Sequence, residues 1–462
     1  VRGESALSST PARLPQVDTQ TTVVGQSASS WRIIRHQSLD FPAPSDYADG
    51  VYERHIARNL LDALADRPMV VLHGARQTGK SWLAEQVASG PHRSEYLTLD
   101  DPAVLTGATG DPAGFIQNLR GNVVIDEVQR APHLFVAVKA SVDRNRQAGR
   151  FLLTGSANIW LVPKLSESLA GRMEILTLWP LSQGEIEGTR ESFVDVAFAD
   201  DALPLRRAPA NRDDIIGRIL AGGYPEALAL SPARRARWFA SYVTAILQRD
   251  VRELSQRIER LTELPRLLTA LAGRTATLLN AAELSRASGI PERTVLRYLT
   301  LLEATFLIIR VPAWTANLRK RLLKTPKVVM VDTGLAAYLQ NVDARRLKAE
   351  PALLGPLLET FVITELLKQQ TWSATQPEVG HFRTAHGEEV DVVLDARGRL
   401  VGVEVKATVS VSSDDFRGLR AMATATGRRF HRGILFYLGD TAVAVGPQLY
   451  ALPLPALWRT RT

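Results

Sequence analysis

Gly74-Ala75-Arg76-Gln77-Thr78-Gly79-Lys80-Ser81 fits the spacing G-x-x-x-x-G-K-[ST], and its flanks decide how it folds. The apolar run Met69-Val70-Val71-Leu72-His73 precedes it and the helical pattern SWLAEQVA continues from its last residue, so the segment reads as strand, glycine loop and helix. Two glycines let the backbone wrap a phosphate, and amides at the helix N-terminus donate to its oxygens. Lys80 brings positive charge to β and γ oxygens, and Ser81 offers a hydroxyl ligand for Mg²⁺. An ordinary glycine turn before a helix is the plain alternative, and the flanking strand and helix weigh against it.

About 45 residues further on, Asn122-Val123-Val124-Ile125-Asp126-Glu127 is an apolar strand ending in two carboxylates. Asp126 would hold Mg²⁺ through water and Glu127 would polarise an attacking water, which together with the loop argues for ATP hydrolysis. Another apolar run, Phe151-Leu152-Leu153-Thr154-Gly155-Ser156, ends in hydroxyls that could face the γ-phosphate; a Thr-Gly-Ser turn explains Thr154 and Ser156 equally well. Arg172 lies between the helical SESLA and the strand MEILTL. It reads either as a basic residue at a helix end stopped by Gly171, or as an arginine finger acting in cis or across a subunit boundary, and both readings stand. The second would require a homo-oligomer or a domain closure.

Strings through this half and beyond it, HGARQTGKS, YLTLDDP, VVIDEVQRAP, LLTGSAN, LAGR and WPLS, resemble the AAA-type ATPases of the AAA_14/DUF4143 family. GGYPEAL, KTPKVVMVDTGL and LLETFVITEL are similar to that family's second half, so the resemblance covers nearly everything after about residue 50. It implies an ATPase and says little of its task.

Composition bounds the rest. With 462 residues, 45% hydrophobic and 23% charged, the chain predicts two to four domains rather than one core. No apolar stretch approaches the ~18 residues of a membrane span, and the start VRGESALSSTPARLPQ lacks the apolar core of a secretory signal, so a cytoplasmic protein with no membrane partner is expected. Zero Cys excludes disulfides, Cys-based zinc sites and thiol catalysis. Residues 1–46, rich in Ser, Thr, Gln and Pro, read as a disordered tail. An α/β ATPase domain with a parallel sheet and flanking helices is expected over 47–187, a linker over 188–214, a helical region over 215–345 and a mixed α/β domain over 350–455.

Charge is uneven along this plan. Between Ser231 and Thr325 there are 17 Lys plus Arg against 7 Asp plus Glu, a local +10 that exceeds the +8 of the whole chain. Within it LLNAAELSRASGIPERTVLRYLTLLEATFLIIRV reads as helix, a turn at Ser288-Gly289-Ile290, a second helix from Pro291 and a strand, which is a helix-turn-helix with a wing. Arg293, Thr294 and Arg297 fall where DNA readers place base contacts, and Lys320, Arg321 and Lys324 could meet phosphates. A packing unit with a solvated arginine face is the alternative.

Near the carboxyl end, Glu389-Val390-Asp391-Val392-Val393-Leu394 and Val401-Gly402-Val403-Glu404-Val405-Lys406 read as a hairpin joined by Asp395-Ala396-Arg397-Gly398. Side chains alternate along a strand, so Glu404 and Lys406 share a face that Asp391 can reach. The result, D-x₁₂-E-x-K, resembles the PD-(D/E)xK nuclease core of a restriction-endonuclease-like domain. There Asp391, Glu404 and an upstream acid, Glu359, would bind Mg²⁺, and Lys406 would position water. A cross-strand charge pair, or a retained fold without cleavage, is the alternative. The combined expectation is an ATPase that uses ATP and Mg²⁺ and acts on or is regulated by nucleic acid. A slow nucleotide switch, whose end domain binds DNA or a partner without cutting, is the competing reading. No acceptor lid supports a metabolic kinase.

Overall fold

Five short apolar runs, β1 (Met69–His73), β2 (Glu95–Thr98), β3 (Val123–Asp126), β4 (Phe151–Gly155) and β5 (Met173–Thr177), lie in the order β2-β3-β4-β1-β5, every pair parallel. Both faces of such a sheet are covered, which is why β1, β3 and β4 are buried at every position and read as continuous apolar stretches rather than alternating ones. Val123, Ile125, Leu153 and Met69 join Leu134, Phe135 and Val138 of the helix Leu134–Arg144 in one core. The computed structural model describes residues 52–156, 171–205, 207–254, 261–316 and 324–461. The tail expected over 1–46 lies outside them.

The segment 188–214 is not a bare linker. It contains the helix Phe193–Phe198, and Phe193 sits with its ring 5.1 Å from that of Phe436 in the carboxyl-terminal sheet. Four of its six residues, Phe193, Val194, Ala197 and Phe198, are buried, so the apolar positions of FVDVAF decided the structure over the loop-like composition around them.

Helices follow. Arg212–Ala221 and Pro232–Ala245 precede a π-helical turn over Ile246–Asp250, and Leu264–Ala272 leads to the pair Ala281–Ser288 and Glu292–Ala304. Asn280 starts that pair by accepting from the Glu283 amide at 3.0 Å, and Gly289, at φ 76°, ends its first helix. A small antiparallel sheet, ordered β6 (Thr277–Leu278), β8 (Lys327–Met330), β7 (Ile308–Val311), stands beside them.

The carboxyl-terminal sheet is mixed, in the order β13 (Val443–Ala444), β14 (Leu449–Pro453), β12 (Phe430–Tyr437), β11 (Arg399–Val405), β10 (Glu389–Ala396), β9 (Glu378–Arg383). Strands β10 and β11 form the expected hairpin, with Arg397 and Gly398 at φ 53° and 79° as its two-residue turn. Val392, Leu394, Val401 and Val403 pack toward the helix Pro351–Gln370, while Val390, Val393 and Leu400 pack with Leu419 and Met422 of Arg417–Thr426. Val390 and Val393 share a face despite their odd spacing because the pairing with β9 shifts between them, a bulge that contains Asp391. Among the described residues no helix is long and apolar enough to cross a membrane.

Candidate nucleotide and carboxylate sites

The glycine loop leaves β1 between its neighbours β4 and β5. Gly74, at φ 156°, lies so close to the next segment that a Cβ there would meet the Leu178 carbonyl oxygen at 2.1 Å, so only glycine fits. Gly79, at φ 90°, turns the chain into the helix Lys80–Ser89. Lys80 is buried, and its ammonium donates to the Ala75 carbonyl at 2.7 Å; Thr78 Oγ1 donates to the same oxygen at 2.9 Å. Burial lowers the Lys80 ammonium to about 8, against the opposing pull of Glu127 and Asp126. At the loop's root His73 is bonded to Thr177 Oγ1 at 2.9 Å, and burial, reinforced by Lys80, lowers it to about 3.

Asp126 ends β3 and Thr154 is the last residue but one of its neighbour β4, which brings them beside the loop. Ser81 Oγ donates to Asp126 Oδ1 at 3.1 Å, and Thr154 Oγ1 donates to the same carboxylate oxygen. Glu127 turns out of the strand at φ 57°, its amide donating to Thr154 Oγ1 at 3.3 Å; Gln129 and Ser156 both donate to its carboxylate, Ser156 at 3.4 Å. A hydroxyl beside a carboxylate is an oxygen donor set that suits Mg²⁺, so Ser81 and Asp126 fit such an ion. Gln129, which no sequence motif singled out, holds Glu127 from two positions away and also accepts from the Ser156 amide at 3.3 Å.

Two basic residues tie this loop to the rest of the chain. Arg76 pairs with Asp250 of the π-helical turn at 2.8 Å. Buried Arg54 donates to the Thr78 carbonyl at 2.6 Å, the Trp179 carbonyl at 2.7 Å and Glu185 at 3.1 Å. Arg172, by contrast, is not brought to the loop. Met69 pairs with Met173 and His73 with Thr177, so Arg172 precedes β5 at the edge where β1 begins, a strand length of about 13 Å from the loop's edge. There its guanidinium donates to Asp143 at the end of the helix Leu134–Arg144.

At the other site Glu359, Asp391, Glu404 and Lys406 do gather. Val392 lies opposite Val403, which sets Asp391 and Glu404 one rung beyond the hairpin's last pair. Asp391 Oδ2 accepts from the Val405 amide at 2.9 Å, and Lys406 donates to Glu404 Oε1 at 2.7 Å. Burial, with Asp391 adding to it, raises Glu404 to about 7 and Glu359 to about 8. Sequence reasoning missed Lys327, whose ammonium lies 2.6 Å from Glu359, 3.0 Å from Glu389 and 3.4 Å from Asp391. Its signal was a lysine opening the otherwise apolar strand KVVM. With that ammonium among them the carboxylates do not fit a divalent ion as folded, and no group of three His, Cys, Asp or Glu among the described residues could hold one.

Arg293 and Arg297 are exposed on the first turns of Glu292–Ala304, Thr294 is half-buried beside them, and Lys324 is exposed ahead of β8. Lys320 and Arg321 lie outside the described residues.

A family model described as an AAA domain matches residues 66–187. Two described as domains of unknown function match 212–346 (DUF8612) and 354–457 (DUF4143). The chain is 32% identical over 404 residues to uncharacterized protein Rv2008c of Mycobacterium tuberculosis, which spans 86% of this chain and 83% of that one. The same figures hold for uncharacterized protein Mb2031c of Mycobacterium bovis. Among solved structures the Walker-type ATPase PABY2304 of Pyrococcus abyssi is similar at a TM-score of 0.38 and 15% identity, over 63% of this chain and 96% of that chain.

Proposed function

The chain belongs to the family of these mycobacterial proteins, as an AAA-type P-loop protein, and on that premise we propose that it binds ATP and hydrolyses it with Mg²⁺. The observation that carries this reading is the chain Ser81, Asp126, Thr154, formed where the loop helix and two strand ends meet beside Lys80. Lys80 and the amides of Gly74 to Ser81 bind the phosphates, and Glu127, held by Gln129 and Ser156, takes the proton of the attacking water. Mg²⁺ held by Ser81 and Asp126 would neutralise charge on the β and γ oxygens. As an arginine finger Arg172 serves a neighbouring copy of this chain, because its own loop lies across the sheet; as a helix-end charge it serves only its pairing with Asp143. Loss of ATP binding in Lys80→Ala tests the assignment.

The helix Glu292–Ala304 is proposed to contact nucleic acid through Arg293 and Arg297, supported by their exposure and by the local +10. For the carboxyl-terminal domain, the ammonium of Lys327 among the carboxylates favours the switch reading, in which this domain binds DNA or a partner without cutting. Steady-state ATPase turnover with and without DNA separates an ATPase driven by nucleic acid from a slow switch, and plasmid cleavage in Mg²⁺ or Mn²⁺ reads the nuclease arm.

A further inference from the structure

Lys327 is 1% exposed, and a buried ammonium is costly unless it is paired. The converse matters as much. Three carboxylates converge on one point, so the position Lys327 fills is one that demands positive charge.

The two sides of this contact come from different parts of the chain. The carboxylates belong to the helix Pro351–Gln370 and to β10, whereas the ammonium arrives on β8, the middle strand of the small sheet beside the helix pair. A cleft of about 830 Å³ opens on the cluster, lined by Lys327, Glu359, Asp391, Arg383 and, from the helix pair, Glu283 and Glu292. Access by a hydrated ion is therefore not the obstacle. Glu404 adds an independent sign of an unfilled demand: the residue is 8% exposed, its Oε2 has no hydrogen-bond partner among the described residues, and its chief like-charged neighbour is Asp391.

We propose that Lys327 is the built-in counter-ion of this cluster, so that its ammonium keeps a divalent cation from Glu359, Asp391 and Glu404. The inference rests on the nuclease-like reading of the carboxyl-terminal domain and deepens it: the positive charge that a cleaving domain would draw from a metal ion is supplied here by a side chain of the middle region. A monovalent ammonium with three donors saturates these oxygens only in part, whereas a divalent ion takes six or more oxygen ligands, water included.

The test counts bound Mn²⁺ by electron paramagnetic resonance in the full chain without nucleotide, in wild type, Asp391→Asn, Lys327→Met and the double variant. Methionine keeps much of the lysine stem and removes the charge. Wild type and Asp391→Asn should bind alike, Lys327→Met should gain one equivalent, and Asp391→Asn should remove that gain. A lower count in Asp391→Asn than in wild type would overturn the proposal, since the cluster would then hold an ion with Lys327 in place. So would a folded Lys327→Met that gains nothing. If Lys327→Met folds poorly, Mn²⁺ should raise its melting temperature by several degrees more than that of wild type, and equal shifts would sink the idea. Plasmid cleavage by Lys327→Met is read in parallel: a gained Mn²⁺ without cutting upholds the counter-ion role and removes only the nuclease reading.

Discussion

Arg76 and Asp250 stand 174 positions apart in the chain and 2.8 Å apart in the fold, joining the glycine loop to the π-helical turn that continues Pro232–Ala245. Tyr242, on the same helix ahead of that turn, donates to the Arg76 carbonyl at 3.4 Å. If phosphates bound in the loop compete with Asp250 for the guanidinium, nucleotide occupancy and the position of this helix are coupled. Asp250→Asn should tighten ATP binding about fivefold, the equivalent of roughly 1 kcal/mol for a partly exposed pair, as read by titration with a fluorescent ATP analogue. Weaker binding would show that Asp250 aids nucleotide rather than competing with it.

His73 sets a pH dependence of stability. The unfolded chain takes up its proton at the ordinary value of 6.5, whereas the folded chain does so only near 3. Its contribution is complete above about 6.5 and is lost as pH falls toward the folded value. Between pH 6.5 and 5 the difference in unfolding free energy between wild type and His73→Gln should shift by roughly 1 to 2 kcal/mol against wild type. Glutamine can keep the bond to Thr177 Oγ1. A constant difference across that range would mean that His73 titrates alike in the folded and unfolded chains.

Arg172 bears on assembly. Mixing Arg172→Ala with Glu127→Gln protein should partly restore ATPase activity, because each neighbour supplies what the other lacks. No rescue, with assembly intact, would leave Arg172 to its pairing with Asp143 at the helix end.

The exposed arginines predict salt-sensitive binding of duplex DNA. Arg293→Ala with Arg297→Ala should weaken it by roughly 1 to 3 kcal/mol for each base that an arginine reads. Affinity indifferent to salt and to both changes would return the helix pair to packing.

Much of this was legible in the sequence for a physical reason. Strands β1, β3 and β4 are apolar runs ending abruptly in glycine or polar residues, and a covered parallel sheet requires that pattern. The turn at Gly289 and the hairpin turn at Arg397-Gly398 were local signals as well. What was hidden is long-range. Asp250 and Lys327 each sit in patterns that read as solvated or apolar, and nothing local announces partners at Arg76 or at Glu359, Glu389 and Asp391. The buried contact of Glu365 with the Gln183 amide, at 2.8 Å, was likewise invisible within an apolar helix.

Hydrolysis of ATP by the loop and the paired acids is read out by steady-state phosphate release from wild type and Glu127→Gln, with ATP binding measured on both. Wild type should turn over ATP, and Glu127→Gln should bind it with wild-type affinity while its turnover falls by roughly 10² or more, as expected for loss of a positioned general base. Equal turnover in the two proteins would contradict the role assigned to Glu127 and, with it, the hydrolytic site.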